Sequence, residues 1–180
     1  MRKLKVTELN RLTTDEYRAS VKTPLTVVLD NVRSMNNVGS VFRTADAFRL
    51  EAVYLCGITA VPPDPEIHKT ALGAEDTVSW RYFKDTLEAI SELKQRGYIV
   101  CALEQAEGSV PLENFHPERL KKYALIIGHE VKGVQQEAVN ECSCCIEIRQ
   151  YGVKHSLNVA VSAGIAIYDI TNKLLYGKVD

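Results

Sequence analysis

No apolar run in this 180-residue sequence is long enough to span a membrane, and its first residues, Met-Arg-Lys-Leu-Lys, lack the apolar stretch of a signal peptide. An excess of charge of one sign is also missing, because 22 Lys and Arg side chains nearly balance 23 Asp and Glu. Global electrostatics therefore do not favour a nucleic-acid partner, and any such site has to be a local patch. The length and the 46% hydrophobic content predict one globular domain with a full-sized core.

The five cysteines are an odd number, and their spacing does not suggest a disulfide framework. We therefore expect reduced thiols and a cytoplasmic protein. Cys142-Ser143-Cys144-Cys145 contains a C-x-x-C, which is half of a typical zinc site, but no second C-x-x-C and no H-x-x-x-H accompanies it. The run from Cys144 to Ile148 is typical of a strand in which cysteine serves as a small apolar residue. We expect no bound metal.

Short apolar runs alternate with helical patterns along the chain. The pattern predicts strands over residues 25–30, 51–57, 77–83, 98–103, 123–127 and 144–148, and helices over 38–48, 85–96, 134–141 and 156–175. Nearly continuous apolar strands that alternate with helices indicate an α/β fold with a mostly parallel sheet and helices on both faces. We expect residues 1–22 to form a short basic extension and residues 23–180 to form the domain.

Polar segments follow three of the predicted strands. They cover residues 31–39, with an arginine at position 43 on the following helix, residues 128–133 and residues 149–158. Because ligands of such sheets bind beyond the carboxyl ends of the strands, these segments predict one cleft. The G-x-G-x-x-G of dinucleotide-binding proteins is missing, and residues 128–133 lack the Lys-Ser/Thr of a P-loop. These absences argue against a Rossmann oxidoreductase and an ATPase.

The last predicted helix has an unusual beginning and an unusual face. Ser156 is a good N-cap residue, whereas an amide side chain at Asn158 is less easily explained by capping. Small or smooth residues then recur at helical spacing at Ala160, Ala163, Gly164 and Ile167. Such a stripe suits close packing against the sheet, or close approach of a partner helix across a twofold dimer interface. The dimer is the interpretation that we favour.

Three motifs in order resemble those of the SpoU (TrmH-like) RNA 2′-O-ribose methyltransferases, a family of the SPOUT superfamily. The first is Asn37-x-Gly39-x-x-x-Arg43, and the second is Ile127-Gly128-x-Glu130-x-x-Gly133-Val134. The third joins Ile148 to Ser156-Leu157-Asn158-Val159-Ala160-Val161-Ser162. Residues 69–75 and 102–105 resemble the family as well, so that the similarity extends over nearly the whole chain.

The resemblance implies a fold that the strand and helix patterns do not reveal, a deep trefoil knot near the C-terminus (the α/β-knot). It also implies S-adenosyl-L-methionine as the cofactor, held by the knotted loops after residues 103, 128 and 149. The residues at the matching cofactor-binding positions are Leu103, Glu104, Gly128, Ile148, Ser156 and Leu157. At Gly128 the absence of a side chain would allow the backbone to approach the ligand.

The activity that the resemblance implies is transfer of a methyl group to a ribose 2′-hydroxyl of RNA. Such a reaction needs positioning and help with a poorly acidic hydroxyl, but no metal. The matching catalytic residues are Arg43, Asn37, Glu130, Ser156 and Asn158.

The sequence pattern and the resemblance imply different roles for some of these residues. The pattern alone favours a surface ion pair for Arg43. The resemblance instead implies a clamp on an RNA phosphate that also stabilises the developing alkoxide, because a guanidinium does not deprotonate in proteins. Glu130 would orient Arg43 or Asn37. His129, where many relatives have asparagine, is either simply exposed or titrates usefully near neutral pH.

The expected partners are RNA, with tRNA favoured over rRNA, and a second copy of the chain in a homodimer. The first 22 residues contain six basic and three acidic side chains. This balance is typical either of a solvated helical face, capped near Thr13, or of an RNA-binding arm. Two other classes stay open. One is a non-catalytic RNA-binding or assembly module with the same fold, and the other is an enzyme that acts on a small nucleotide.

Overall fold

The computed structural model describes residues 1–176, except for the side chain of Val6, and shows seven strands whose pairings are all parallel. The strands are β1 (Thr23–Asp30), β2 (Leu50–Cys56), β3 (Trp80–Phe83), β4 (Tyr98–Leu103), β5 (Val110–Pro111), β6 (Lys122–Ile127) and β7 (Cys144–Glu147), in the order β3-β2-β1-β6-β4-β7-β5. The helices are α1 (Thr14–Ala19), α2 (Met35–Ala47), α3 (Pro65–Ala71), α4 (Ala74–Thr77), α5 (Thr86–Gln95), α6 (Gln136–Asn140) and α7 (Val159–Tyr176). No helix among these residues is long and apolar enough to cross a membrane.

Helices cover both faces of the sheet because the side chains of each strand alternate between two apolar sides. In β1, Leu25, Val27 and Leu29 are fully buried in a core that they share with α2, α3 and α7. The alternate residue Val28 points into a second core, which α5 and α6 complete. The predicted α/β fold with a parallel sheet and helices on both faces is therefore confirmed.

The predicted elements are present, with ends that differ by a few residues, and the short helices α3 and α4 and the two-residue strand β5 are additional. α5 shows the predicted boundaries most clearly, since Asp85 Oδ1 accepts a hydrogen bond from the amide N of Leu87 at 2.9 Å. The strand predicted over residues 77–83 is wrong in its first part, because Thr77 ends α4 and β3 begins at Trp80. The pattern does not predict α3 or α4 at all.

The predicted start of the last helix is also wrong. α7 begins at Val159, and its N-cap is Asn158 rather than Ser156. Asn158 Oδ1 accepts hydrogen bonds from the amide N atoms of Ala160, at 2.9 Å, and Val161, at 3.3 Å. These are the second and third amides of the helix, which an N-cap side chain satisfies.

The small-residue stripe expected on this helix does not form one exposed surface. Ala163 and Ile167 are fully buried in the core beneath α7. Of the apolar side chains that α7 exposes, Val161, Ile165 and Tyr168 follow one another at intervals of four and three residues and share one face. The predicted stripe is therefore wrong as a single exposed face, because its residues lie on two different faces of α7.

The N-terminal segment packs against the rest of the chain. Tyr17 lies in the core, and Arg18 Nη2 donates a hydrogen bond to the carbonyl O of Asp76 at 3.0 Å. The predicted cap of α1 is confirmed as a capping box, because Thr13 and Glu16 exchange hydrogen bonds between side chain and backbone. Residues 177–180, which belong to the predicted second segment, lie outside the described residues.

Candidate functional site

A cleft of about 900 Å³ opens at the carboxyl edge of the sheet, between the loops that follow β4, β6 and β7. Its volume lies within the range of small-molecule sites. The loop after β1, which the sequence places in the same cleft, does not line it but lies beside it. All six residues expected to bind the cofactor line the cleft: Leu103, Glu104, Gly128, Ile148, Ser156 and Leu157.

Gly128 permits two backbone segments to approach each other at this cleft. A Cβ atom at position 128 would lie 2.1 Å from the carbonyl C of Gly133 and 2.1 Å from the amide N of Val134. The chain turns back at Gly133, whose φ of +68° favours glycine. Glycine is therefore required at position 128 by the packing of the protein's own backbone, and not only by the approach of a ligand.

The carboxylate of Glu104 ties the loop after β6 to the end of β4. Its Oε2 accepts a hydrogen bond from the amide N of Val134 at 2.9 Å, and its Oε1 accepts one from the amide N of Gln105 at 2.9 Å. Both oxygens are thus engaged by backbone amides. Glu104 shapes the wall of the cleft by holding these two loops at a fixed distance.

Glu130 extends from the same loop to the segment that joins β1 to α2. Its Oε2 accepts a hydrogen bond from the amide N of Arg33 at 3.0 Å, and its Oε1 accepts from the amide N of Ser34 at 2.9 Å and from Asn37 Nδ2 at 3.0 Å. Asn37 Oδ1 in turn accepts a hydrogen bond from Asn158 Nδ2 at 3.1 Å. We call Glu130, Asn37 and Asn158 the amide network. It joins three of the five residues predicted to be catalytic.

Ser34 is a residue of this site that the sequence motifs do not single out. It precedes the predicted start of the helix by four positions, and in the structure it is the N-cap of α2. Its Oγ accepts a hydrogen bond from the amide N of Asn37 at 3.3 Å. A serine three residues before Asn37 is an N-cap signal that could have found it. Because of this cap, Asn37 lies in the first turn of α2, where its side chain faces Glu130.

The amide network keeps Glu130 ionised. Burial opposes ionisation of the carboxyl group, but the hydrogen bonds from the amides of Arg33 and Ser34 and from Asn37 outweigh burial and lower the pKa of Glu130 below its ordinary value. An ionised carboxylate only accepts hydrogen bonds. Asn37 must therefore turn its Nδ2 towards Glu130 and its Oδ1 towards Asn158, which fixes the orientation of its amide.

We expect Glu130→Gln to lower the free energy of unfolding by about 1–3 kcal/mol near neutral pH, because the glutamine amide would turn a donor towards a backbone N–H. The lowered pKa means that the carboxylate stabilises the folded state above the ordinary carboxyl range, and that this contribution is lost as the pH falls through the lowered value. Urea unfolding at several pH values measures it.

The difference in unfolding free energy between wild type and Glu130→Gln is expected to shrink towards zero in acid. Glu137, which is exposed on α6, provides the matched control, and Glu137→Gln should change stability by less than about 0.5 kcal/mol. A Glu130→Gln variant as stable as wild type near neutral pH would contradict this account of the amide network.

Arg43 and Ser156 stand outside the amide network. Arg43 is exposed on α2 and makes no hydrogen bond or ion pair within residues 1–176. The surface ion pair that the pattern alone favours for Arg43 is therefore not formed within one copy of the chain. Glu130 accordingly orients Asn37 and not Arg43 within one copy. Ser156 is exposed where it lines the cleft, and its hydroxyl has no hydrogen-bond partner in the described part of the chain. Both side chains are free to contact a ligand.

The cysteine cluster belongs to the sheet. Cys144 lies in β7 opposite Cys101 of β4, with the two Sγ atoms 3.3 Å apart. Cys144 and Cys145 are therefore strand residues, as the interpretation of cysteine as a small apolar residue predicts. Across residues 1–176, no group of three or more His, Cys, Asp and Glu side chains is placed to hold a metal ion.

The parallel sheet and the cleft at the carboxyl ends of its strands define an α/β protein with a ligand site at the sheet edge. Residues 24–168 match the SpoU rRNA Methylase family. The chain belongs to this family.

Relatives of known name cover most of the chain. It is 32% identical over 166 residues to the 23S rRNA (guanosine-2'-O-)-methyltransferase RlmB of Nitrosomonas europaea, which spans 91% of this chain and 63% of that protein. It is 29% identical over 169 residues to the tRNA (guanosine(18)-2'-O)-methyltransferase of Thermus thermophilus, over 94% of this chain and 85% of that protein. The chain thus spans less than two thirds of the length of the Nitrosomonas relative.

A solved structure gives the same likeness in three dimensions. The AdoMet-bound rRNA methyltransferase from Sinorhizobium meliloti superposes with a TM-score of 0.78 and 28% identity, over 88% of this chain and 60% of that one.

Proposed function

We propose that this protein is an S-adenosyl-L-methionine-dependent methyltransferase that modifies the ribose 2′-hydroxyl of RNA. The observation that carries the proposal is the position of the loop over residues 128–134. Its backbone lines the cleft, and its residue Glu130 holds the amide network next to that cleft. A small-molecule site and a fixed set of polar side chains therefore lie side by side. The names of the Nitrosomonas and Thermus relatives support the same chemistry.

The residues of the cleft fit the cofactor. S-adenosyl-L-methionine supplies a methyl group that is already activated on a sulfonium cation. Leu103, Ile148 and Leu157 offer apolar surface for the adenine ring, and Gly128 lines the same cleft. The lining contains four carboxylates, at positions 104, 107, 130 and 147, against one lysine at position 132, and this balance favours a cationic ligand.

The proposed catalytic residues position the ribose and stabilise charge. Arg43 binds an RNA phosphate and stabilises the developing alkoxide, for which its exposed and unpaired guanidinium is suited. Asn37 lies six residues earlier, about 9 Å along the axis of α2, and its fixed amide holds the ribose or the loop beside it. Asn158 and Glu130 fix that amide. Ser156, the fifth of these residues, lines the cleft with a hydroxyl that has no partner in the described part of the chain.

The knot, the domain boundary and the location of the protein are part of the same proposal. The loops after β4, β6 and β7 surround one cleft and α7 follows them in the chain, an arrangement that fits a trefoil knot.

Residues 1–22 form the extension and residues 23–180 the methyltransferase domain. The protein acts in the cytoplasm, and its reaction needs no metal because the methyl donor is already activated.

The proposed second partner is another copy of this chain. Val161, Ile165 and Tyr168 are 50%, 41% and 60% exposed on α7 and line a groove of about 740 Å³. Large apolar side chains that share one exposed face mark an interaction surface. The rings of Tyr168 and Phe48, which follows α2, meet in a T-shaped arrangement with their centroids 6.0 Å apart, so this face lies next to the helix that carries Arg43.

We expect Ile165→Glu to convert a dimer into a monomer, because a buried and unpaired carboxylate costs more than the apolar contact it replaces. Sedimentation equilibrium measures the mass, which should fall from about twice 20.1 kDa to 20.1 kDa. Leu120 is fully exposed elsewhere on the surface, and Leu120→Glu is the matched control that should remain a dimer. A wild-type protein that is monomeric at high concentration would contradict the proposed homodimer.

The experiment that tests the proposed function is transfer of tritium from labelled S-adenosyl-L-methionine into total tRNA and, separately, into ribosomal RNA. We expect labelling of RNA, with tRNA as the preferred pool, and a steep decrease with salt if the basic residues of the first 22 contact phosphates. RNA binding without transfer would favour the non-catalytic module. Transfer to free nucleosides at a rate that does not depend on salt concentration would favour the enzyme that acts on a small nucleotide.

A further inference from the structure

The loop that carries Glu130 is closed on itself around the ring of His129. The amide N of His129 donates a hydrogen bond to the carbonyl O of Gly133 at 3.1 Å, and the amide N of Gly133 donates one to the carbonyl O of His129 at 2.9 Å. Inside this closed loop, the amide N atoms of Val131 and Lys132 donate hydrogen bonds to His129 Nδ1, at 3.0 and 3.3 Å. The imidazole therefore serves as an acceptor for two backbone donors.

These two hydrogen bonds require an unprotonated Nδ1. A ring nitrogen that accepts a hydrogen bond carries no proton, so the neutral ring in this arrangement has its proton on Nε2. Protonation of Nδ1 would place an N–H group opposite the N–H groups of Val131 and Lys132. Both hydrogen bonds would then be lost, and three donors would face one another.

We propose that His129 is a positioning residue for the methyl transfer and that only its neutral form holds the loop in its active arrangement. The inference rests on the proposed function and deepens it. The ring of His129 makes no hydrogen bond to the side chains of the amide network. It acts through Glu130, the next residue in the loop, whose carboxylate holds Asn37. Release of the loop on protonation therefore loosens the catalytic side of the cleft.

The cleft that His129 lines carries charged groups from several elements. Glu130 and Lys132 belong to the same loop, and Glu104 at the end of β4 contacts the loop at Val134. Both carboxylates are bound to backbone amides and are not paired with the ring. Glu107, Glu147 and His155 line the same cleft, and Arg33 lies on the segment before α2 whose backbone amide Glu130 binds.

Asparagine is the substitution that separates hydrogen bonding from titration. The Oδ1 atom of an asparagine accepts hydrogen bonds from the amides two and three residues further along, which is the pattern that His129 Nδ1 makes here. Its amide does not titrate in the range of histidine. His129→Asn should therefore keep the loop closed at every pH, whereas His129→Ala should open it at every pH.

The first test is the tautomer, which does not depend on activity. Nitrogen-15 NMR of the full-length protein at about pH 8 reports which ring nitrogen carries the proton, and the His129 signals are those absent from His129→Asn. We expect an unprotonated Nδ1 and a protonated Nε2. A proton on Nδ1 in the neutral ring would overturn the proposal.

The second test compares the activity of wild type and His129→Asn at about pH 8 and about pH 5.5, using kcat/KM for the RNA pool that is labelled. The two proteins should be similar at the higher pH, and wild type should be about tenfold less active than His129→Asn at the lower pH. Groups that act in the reaction itself titrate in both proteins, so their effects cancel in the ratio of the two kcat/KM values.

His116 is exposed in a different loop and provides the matched control, because His116→Asn should follow wild type at both pH values. A ratio of wild type to His129→Asn that does not change with pH would overturn the proposal. If no protein transfers methyl groups to RNA, the proposed function fails, whereas the NMR result still decides whether His129 is held as the neutral acceptor.

Discussion

Replacement of Arg43 by alanine is expected to lower kcat/KM for RNA methylation by a factor of about 100 to 1,000, with no change in fold or in cofactor affinity. The guanidinium is exposed and unpaired in the described chain, so its removal breaks no contact that stabilises the fold. What is lost is the charge that binds phosphate and stabilises the developing alkoxide.

Three measurements separate these effects. Initial rates with RNA give the loss of activity, calorimetric titration with S-adenosyl-L-methionine gives cofactor affinity, and thermal unfolding reports stability. Arg43→Lys keeps the charge but not the planar pair of donors, and it should retain part of the activity. Activity that survives Arg43→Ala, or cofactor affinity that falls with it, would contradict the role assigned to Arg43.

Gly128→Ala is expected to destabilise the protein by about 3 kcal/mol and to abolish cofactor binding. The added Cβ would lie 2.1 Å from backbone atoms of both Gly133 and Val134, and backbone atoms cannot rotate away as a side chain can. The loop over residues 128–134 would have to move as a whole. Because that loop lines the cleft and carries Glu130, both the cofactor site and the amide network would be distorted.

Urea unfolding and calorimetric titration with S-adenosyl-L-methionine measure the two effects of Gly128→Ala. Gly152 is the matched control, because a Cβ atom there would meet nothing within 4 Å, and Gly152→Ala should change stability by less than about 0.5 kcal/mol. A Gly128→Ala protein that is stable and binds the cofactor normally would place the cofactor elsewhere on the molecule.

The sheet could be predicted from the sequence because its central strands are buried on both faces. A strand such as β1 needs apolar residues at nearly every position, and few other elements share that pattern. The short helix α3 carries signals that were available, since Asp64 accepts hydrogen bonds from the amides of Glu66 and Ile67, and Pro65 occupies the first turn. The prolines around it nevertheless favour a loop, and seven residues are too few to show a helical period.

The start and the exposed face of α7 could not be predicted from local pattern. Ser156 and Asn158 are both favourable N-cap residues, so propensity alone does not choose between them. The structure chooses Asn158, whose Oδ1 caps the helix while its Nδ2 donates to Asn37. In the same way, helical spacing groups Ala160 with Ala163, but only the position of the sheet determines that Ala163 is buried.

The amide network depends on contacts that are distant in sequence. Glu130 and Asn37 are 93 residues apart, and Asn37 and Asn158 are 121 residues apart. No spacing rule along the chain links such positions, and it was the resemblance to a family that selected them together. The ring of His129 is a further case, because its role as an acceptor depends on the turn that the following residues make.

The measurement that tests the central claim most directly is the chemical position of the transferred methyl group. RNA labelled by the protein is digested to nucleosides and analysed by mass spectrometry, with alkaline hydrolysis of a second portion. A 2′-O-methylated nucleoside, recovered from alkali as a resistant dinucleotide, is the result that the proposed function predicts. A methyl group on a base, or RNA that remains unlabelled although the protein binds S-adenosyl-L-methionine, would contradict it.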